Sequence, residues 1–116
     1  VDLHLLEVID GGRDFRYRVH GTRIGRQHGN EMTGKLVSEW PQEIQARAYR
    51  TYRRIASTAK PHLVCECETF ERYPQIKHRL VLPFGADGAT VDKLLVHLVL
   101  GGRTAGETDA EYYPLD

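Results

Sequence analysis

The amino-acid sequence predicts an α+β fold in which a five-stranded antiparallel sheet carries helices on one face. Three observations predict this fold class. The chain has 116 residues, which is enough for one domain with one hydrophobic core. Apolar and polar residues alternate near both ends, which indicates strands, whereas apolar residues in the middle recur at helical spacing. The predicted order is therefore two strands, short helices, a longer helix and three strands.

An Asp-Gly-Gly turn at residues 10–12 is predicted to join the first two strands. The apolar segment LHLLEVID precedes this turn. The segment FRYRV follows it and alternates Phe15, Tyr17 and Val19 with two arginines. This alternation predicts a strand pair with one buried face.

Two helical segments are predicted next. Thr22 can cap a short turn that ends near Gly29, since glycine commonly follows the last residue of a helix. The sequence SEWP at residues 38–41 is typical of a helix start, because serine caps well and proline is tolerated in the first turn. Pro61 lies just beyond the expected end, and the arginines of this main helix are expected to face solvent. Its buried stripe is predicted to contain Ile44, Ala48, Tyr52 and Ile55.

From residue 63 onward the apolar period returns to two, and three more strands are predicted. Their sequences are LVCECETF, KHRLVLPF and VDKLLVHLVL. A turn at residues 85–88 is expected to join the last two strands. The last strand is apolar on both faces, as is typical of a central strand. Residues 1–100 are expected to form the domain, and residues 101–116 a mobile tail.

Composition and charge exclude some classes of partner. Sixteen basic residues balance sixteen acidic residues, so no net field favours nucleic acid or an anionic membrane. The longest apolar run, LLVHLVL, is far shorter than the roughly 20 residues that span a bilayer. Cys65 and Cys67 are separated by one residue, and a disulfide between them would close a strained ring. They are interpreted as free thiols, and a cytoplasmic location is expected.

The segment GNEMTGK at residues 29–35 fits the phosphate-binding pattern GxxxxGK. Leu36 stands where that pattern requires the hydroxyl of Ser or Thr for magnesium, and a helical turn instead of a strand is predicted before the loop. We therefore predict that magnesium nucleoside triphosphates do not bind here. Thr33 and Gly34 are expected to form a tight loop, with Lys35 in solvent.

The sequence offers no motif that predicts an enzyme. Cys65 and Cys67, with one upstream histidine, lack the paired spacing of structural zinc sites, so no metal site is predicted. His78 and His97 lie within strand patterns and are interpreted as structural histidines. Neither a nucleophile elbow nor an HExxH motif is present. A small cytoplasmic enzyme that uses histidine and cysteine is kept as the alternative.

The order of these elements, together with the segment GTRIGRQHGNEMTGKLVSEW at residues 21–40, resembles a PAS domain. Many PAS domains have, between the second strand and the main helix, a short helical turn, a glycine, polar residues and then TG followed by a basic and an apolar residue. More narrowly, DFRYRVHGTRIGRQHGNEMTGK is similar to a short bacterial PAS-like family. The segment LVLPFGADGATVDKLLVHLVL fits the last two strands of that family. The resemblance covers residues 3–100.

This resemblance implies a regulatory domain for sensing or protein interaction in bacterial signalling, with no enzymatic activity. It implies that a small molecule can occupy the space between sheet and helices, and it leaves the cofactor unknown. Photoactive flavin members carry a cysteine on the main helix and haem members a histidine, but residues 41–60 contain neither. The resemblance therefore argues against both of these cofactors. A ligand-free dimerisation module is the second alternative.

The predicted site lies between the inner sheet face and the helices, since an apolar wall with a few polar groups suits a small molecule. The sheet is predicted to contribute Tyr17, Val19, Cys65, Cys67, His78, Leu80 and Leu82. The predicted ligand-binding residues are Tyr17, Met32, Trp40, Tyr52, Cys67, His78 and Leu80.

The outer sheet face is predicted to carry an apolar patch made by Leu95, His97 and Val99. In PAS domains a flanking helix or a second copy covers this face. Sequence for such a helix is not present before the first strand, so a homodimer is expected. An unknown signalling protein is the other expected partner.

Overall fold

Six strands and one α-helix make up the fold in residues 3–20, 32–70, 73–88, 90–103 and 108–115, which are the residues that the computed structural model describes. The α+β class is confirmed. The elements are β1 (Leu3–Ile9), β2 (Asp14–Val19), a 3₁₀ turn (Val37–Glu39), α1 (Gln42–Thr58), β3 (His62–Phe70), β4 (Tyr73–Phe84), β5 (Lys93–Arg103) and β6 (Thr108–Pro114).

The strands form one sheet in the order β2-β1-β5-β4-β3-β6, and every neighbouring pair is antiparallel. The sheet has six strands where five were predicted, because part of the predicted mobile tail forms β6 beside β3. Tyr112 explains this pairing: it packs against the core, its hydroxyl lies 3.2 Å from Thr51 Oγ1, and the guanidinium of Arg54 lies 4.3 Å from its ring centroid. Because residues 101–116 begin with two glycines, the sequence predicted a mobile tail instead of a strand held in place by Tyr112.

The main helix, α1, packs on one face of the sheet, which we call the inner face; the opposite side is the outer face. The predicted stripe is confirmed, since Ala48, Tyr52 and Ile55 are buried and Ile44 is half-buried. Ser38 does not cap α1, because it lies in the preceding 3₁₀ turn.

The turn between β1 and β2 lies at the predicted residues and is held by α1. The backbone of Gly12 has a φ of +107°, which residues other than glycine rarely adopt. Arg53 of α1 donates hydrogen bonds of 2.7 Å to the carbonyl oxygens of Gly12 and Arg13. This exposed arginine therefore fixes the helix to the first hairpin.

The predicted inward face of β3 and β4 is wrong. Val64 and Val81 are fully buried, and the charged residues two positions away on the same strands, Glu66 and Arg79, are buried with them. The side chains of the opposite parity therefore point outward: Cys65, Cys67, His78, Leu80 and Leu82. Val19 was also predicted to point inward and is 50% exposed. A register shift between Leu5 and Leu6 brings Val19 opposite the outward Leu5, which accounts for its position.

The predicted turn after Thr22, at residues 22–28, lies outside the described residues, as do the first three residues of the GxxxxGK segment. No helix in the described ranges is long and apolar enough to cross a membrane.

Candidate functional site

Four aromatic and imidazole rings meet on the inner face at one end of the sheet. We call His4, Tyr17, His20 and Trp40 the inner ring cluster. All four are at least 95% buried. The ring centroids of His4 and His20 are 4.6 Å apart, and those of Tyr17 and His20 are 4.9 Å apart. The rings of Tyr17 and Trp40 meet edge-on at 6.4 Å.

Two hydrogen bonds orient the rings of this cluster. The indole Nε1–H of Trp40 donates to the hydroxyl oxygen of Tyr17 at 3.0 Å. The backbone N–H of Met32 donates to His20 Nδ1 at 3.3 Å. Because Nδ1 accepts this bond, the proton of a neutral His20 lies on Nε2. Burial, followed by the charge and hydrogen bonding of Tyr52, raises the pKa of Tyr17, so its phenol is neutral.

A buried charged group lies farther along the same face. It consists of Glu66 on β3 and of Lys77 and Arg79 on β4, each at least 92% buried. Glu66 and Lys77 are cross-strand partners, and the Glu66 carboxylate accepts a hydrogen bond from Arg79 Nη2 in an ion pair. The guanidinium of Arg79 lies 5.9 Å from the ring centroid of Tyr52. This charge pairing allows the two strands to bury polar side chains beneath α1.

Sequence reasoning missed the charged group, His4 and His20. A signal for the charged group was present, because Glu66 has the parity of Val64, and Lys77 and Arg79 have the parity of Val81. Because the alternate positions are also apolar, for example Leu80, the alternation did not show which set of side chains is buried.

The structure brings only part of the predicted ligand set together. Tyr17, Met32, Trp40 and Tyr52 are all buried on the α1 side. Cys67, His78 and Leu80 lie on the outer face and cannot contact a molecule held between the sheet and α1. The inner residues offer neutral ring donors and acceptors beside apolar surface, which is the composition of a site that orients an uncharged or weakly polar group.

The outer face is largely apolar over its whole width, and the outward positions of Leu95, His97 and Val99 are confirmed. Cross-strand pairing places its side chains in rows. One row crosses five strands and contains Leu3, His97, Leu80, Leu63 and Tyr113. The row on one side of it contains Val19, Leu5, Leu95 and Leu82, and the row on the other side contains Val99, His78, Cys65 and Glu111.

Cys65 is poorly suited to nucleophilic chemistry. It lies between His78 of β4 and Glu111 of β6 in the cross-strand register. Burial and the nearby Glu111 carboxylate both raise the pKa of the Cys65 thiol. The protonated thiol is a weak nucleophile and a poor metal ligand. Within the described ranges, no three histidine, cysteine or acidic residues are grouped as metal ligands.

The described end of the GxxxxGK segment has the geometry of a tight turn. Gly34 has a φ of +84°, and the Lys35 N–H donates to the Met32 carbonyl oxygen at 2.8 Å. Lys35 is exposed, as predicted, and its carbonyl oxygen accepts a hydrogen bond from the Tyr17 N–H at 2.9 Å. Leu36 then forms a bridge with Arg16 of β2. The chain therefore continues along a sheet edge here, where a phosphate loop would begin its helix.

Comparison of the chain with protein-family models, with curated proteins and with solved structures gives no match.

Proposed function

We propose that this chain is a PAS-like sensory and protein-interaction domain of bacterial signalling, which acts in the cytoplasm as a homodimer and has no enzymatic activity. Two features support the PAS-like assignment. The elements follow the order on which the resemblance rests, with two strands before the main helix and strands after it. The TG pair forms a tight turn just before the 3₁₀ turn, and Leu36, between the two turns, pairs with Arg16 of β2.

The observation that carries the proposal is the apolar outer face. Its three adjacent rows cross five, four and four strands and hold 13 side chains, each occupying roughly 4.8 Å by 6.7 Å of the sheet. The projected area is thus roughly 420 Å² before side-chain relief is counted, about half of the ~800 Å² that each partner buries in a standard interface. Val99 is 48% and Tyr113 46% exposed, so large apolar side chains remain in contact with water in one copy.

A second copy fits this face better than a charged partner does. Glu111, on the edge strand, is the one fixed charge within the three described rows; Glu7, Arg16, Arg18 and Lys93 lie near one end of the face. Arg18 and Glu7 form an ion pair of 3.3 Å with each other. Two copies related by a two-fold axis would therefore bring leucine and valine rows together without opposing like charges at the centre.

The ligand part of the proposal concerns the inner ring cluster. We place a small molecule beside Tyr17, Trp40 and His20, because these rings combine polar atoms with an apolar surface at the end of α1 that is nearest to the TG turn. The raised pKa of the Cys65 thiol supports a binding role over nucleophilic catalysis.

Molar mass measured by light scattering during size-exclusion chromatography tests the homodimer. At tens of micromolar, the wild-type chain is expected to elute as a dimer. Val99→Glu places a carboxylate in the proposed interface and is expected to elute as a monomer. Ala46→Glu, which adds the same charge at an exposed position of α1, is the matched control and is expected to remain dimeric. A monomeric wild type would refute the homodimer.

A thermal-shift screen of metabolites and cofactors tests the ligand site. A compound that binds the inner ring cluster is expected to stabilise the wild type and His78→Leu equally, because His78 lies on the outer face. Trp40→Phe keeps an aromatic ring but removes the indole N–H, and it is expected to reduce the shift. A compound whose shift depends on His78 and not on Trp40 would contradict the proposed location.

A further inference from the structure

We infer that protons control the self-association of this domain through His78 and His97. The inference rests on the proposed homodimer and adds a regulatory role to its interface. These two imidazoles are the only histidines on the described part of the outer face, and they lie at its centre. Both side chains are exposed in one copy.

The strand register makes the two histidines neighbours. His97 of β5 pairs with Leu80 of β4, and His78 of β4 pairs with Val99 of β5. The two histidines are therefore diagonal partners, which in antiparallel sheets are about 7–8 Å apart. A two-fold axis through this part of the face would gather four imidazoles between the two copies.

The side chains around the two histidines provide little negative charge to stabilise a protonated imidazole. His97 faces Leu3 of β1 and Leu80 of β4, both apolar. His78 faces Val99 of β5 and the neutral thiol of Cys65 on β3, and the nearest carboxylate in its row, Glu111, is two strands away, or about 10 Å. Leu95 separates His97 from the ammonium group of Lys93 along β5.

The remaining described charged groups of the face lie near one end: Glu7 and Arg18 pair with each other, and Arg16 is the cross-strand partner of Glu7 and donates to the Gly34 carbonyl oxygen. Of the described residues on this face, none places a carboxylate directly opposite either histidine. An imidazolium in the closed interface would thus be removed from water without an adjacent counter-ion.

Neutral imidazoles can be buried at modest cost, whereas imidazolium groups without a counter-ion cannot. Histidine is the side chain that ordinarily changes charge between pH 5 and 8. A proton bound to either ring in the monomer would have to be released when the dimer forms. By linkage, the dimer is most stable at the alkaline end of this range and loses stability as the pH falls. Two imidazolium groups that are diagonal neighbours on each copy would also repel one another.

Sedimentation equilibrium at pH 8.0 and pH 5.5, at constant ionic strength, tests the inference. For the wild type, the dimer dissociation constant is expected to rise at least about tenfold at pH 5.5. If dimer formation releases one proton, the dissociation constant rises about tenfold for each unit by which the pH falls. The variant His78→Gln/His97→Gln has polar, non-titrating side chains at both positions. Its dissociation constant is expected to change less than about threefold between the same pH values.

The outcomes separate this inference from the proposed function. A wild type that is monomeric at both pH values would refute the interface itself. A wild-type dimer of equal affinity at both pH values would refute only the role of the histidines. An equally large change in the glutamine variant, whether from titration elsewhere or from acid unfolding, would also refute it.

Discussion

The two faces of the sheet differ in a way that reverses the usual distribution of charge. The inner face buries Glu66, Lys77 and Arg79 beneath α1, whereas the outer face exposes Val19, Val99 and Tyr113 and leaves its leucines half-buried. Charged groups can be buried because Glu66 and Arg79 neutralise each other. An apolar surface of several hundred Å² is unusual on a monomer and commonly marks an interaction site. The inner face therefore forms the core of the fold, and the apolar outer face is the surface on which we propose that a second copy binds.

The largest expected effect comes from breaking the buried ion pair. Arg79→Ala leaves the Glu66 carboxylate buried without its guanidinium and should lower the free energy of unfolding by about 3–5 kcal/mol. Urea denaturation measures this loss. Arg50→Ala, on the exposed side of α1, is the control and should change stability by no more than about 0.5 kcal/mol.

The triple variant Glu66→Leu/Lys77→Met/Arg79→Met sharpens this result. Replacing all three charges leaves no unmatched ion in the core, so the triple variant should recover at least half of the stability that Arg79→Ala loses. If Arg79→Ala costs less than about 1 kcal/mol, the charged group is not part of the core as described.

Adjacent residues of β5 provide a direct comparison of the two faces. Val96 is fully buried, and Val96→Ser should cost about 3 kcal/mol, because it removes apolar volume and buries a hydroxyl. Leu95 points outward, and Leu95→Ser should cost less than about 1 kcal/mol in a dilute, monomeric sample. Equal losses for the two variants would contradict the assignment of the faces.

A smaller effect is expected in the inner ring cluster. Tyr17→Phe removes the acceptor of the Trp40 N–H and should cost about 1 kcal/mol near neutral pH. Because burial raises the pKa of Tyr17, the stability that its neutral phenol contributes is fully present below the ordinary value of 10.0 and is lost as the pH rises further. Urea midpoints should therefore fall less steeply above pH 10 in Tyr17→Phe than in the wild type. Trp40→Phe, which retains the phenol, should keep the wild-type slope.

Local patterns in the sequence predicted the elements better than they predicted the faces. The spacing of Ala48, Tyr52 and Ile55 was sufficient to orient α1, because a helix with one apolar stripe has only one face to bury. β3 and β4 carry apolar residues at both parities, so alternation alone could not decide which set faces inward. That choice depends on the pairing of Glu66 with Arg79, a contact between residues 13 apart in the sequence.

Within the strands and α1, the sequence predicted buried site residues correctly only on elements that have a single apolar face. Tyr17 and Tyr52 were assigned to the inner side because β2 and α1 each have one apolar face. The burial of His4 and His20 depends on tertiary packing of rings from separate parts of the chain, and neither residue has a local signature. The sixth strand was missed for the same reason, since Tyr112 anchors it through contacts with α1.

The central claim, that the inner face is the core and a second copy covers the outer face, is tested most directly by the alkylation of Cys65 and Cys67. Both thiols lie half-buried on the outer face. Labelling rates should fall about tenfold as the wild-type concentration rises from well below the dimer dissociation constant to about 50 times that constant, where about 90% of the chains are dimeric and their thiols covered. In Val99→Glu, the rates should equal those of the dilute wild type and be independent of concentration. Equal, concentration-independent rates in the two proteins would contradict the account.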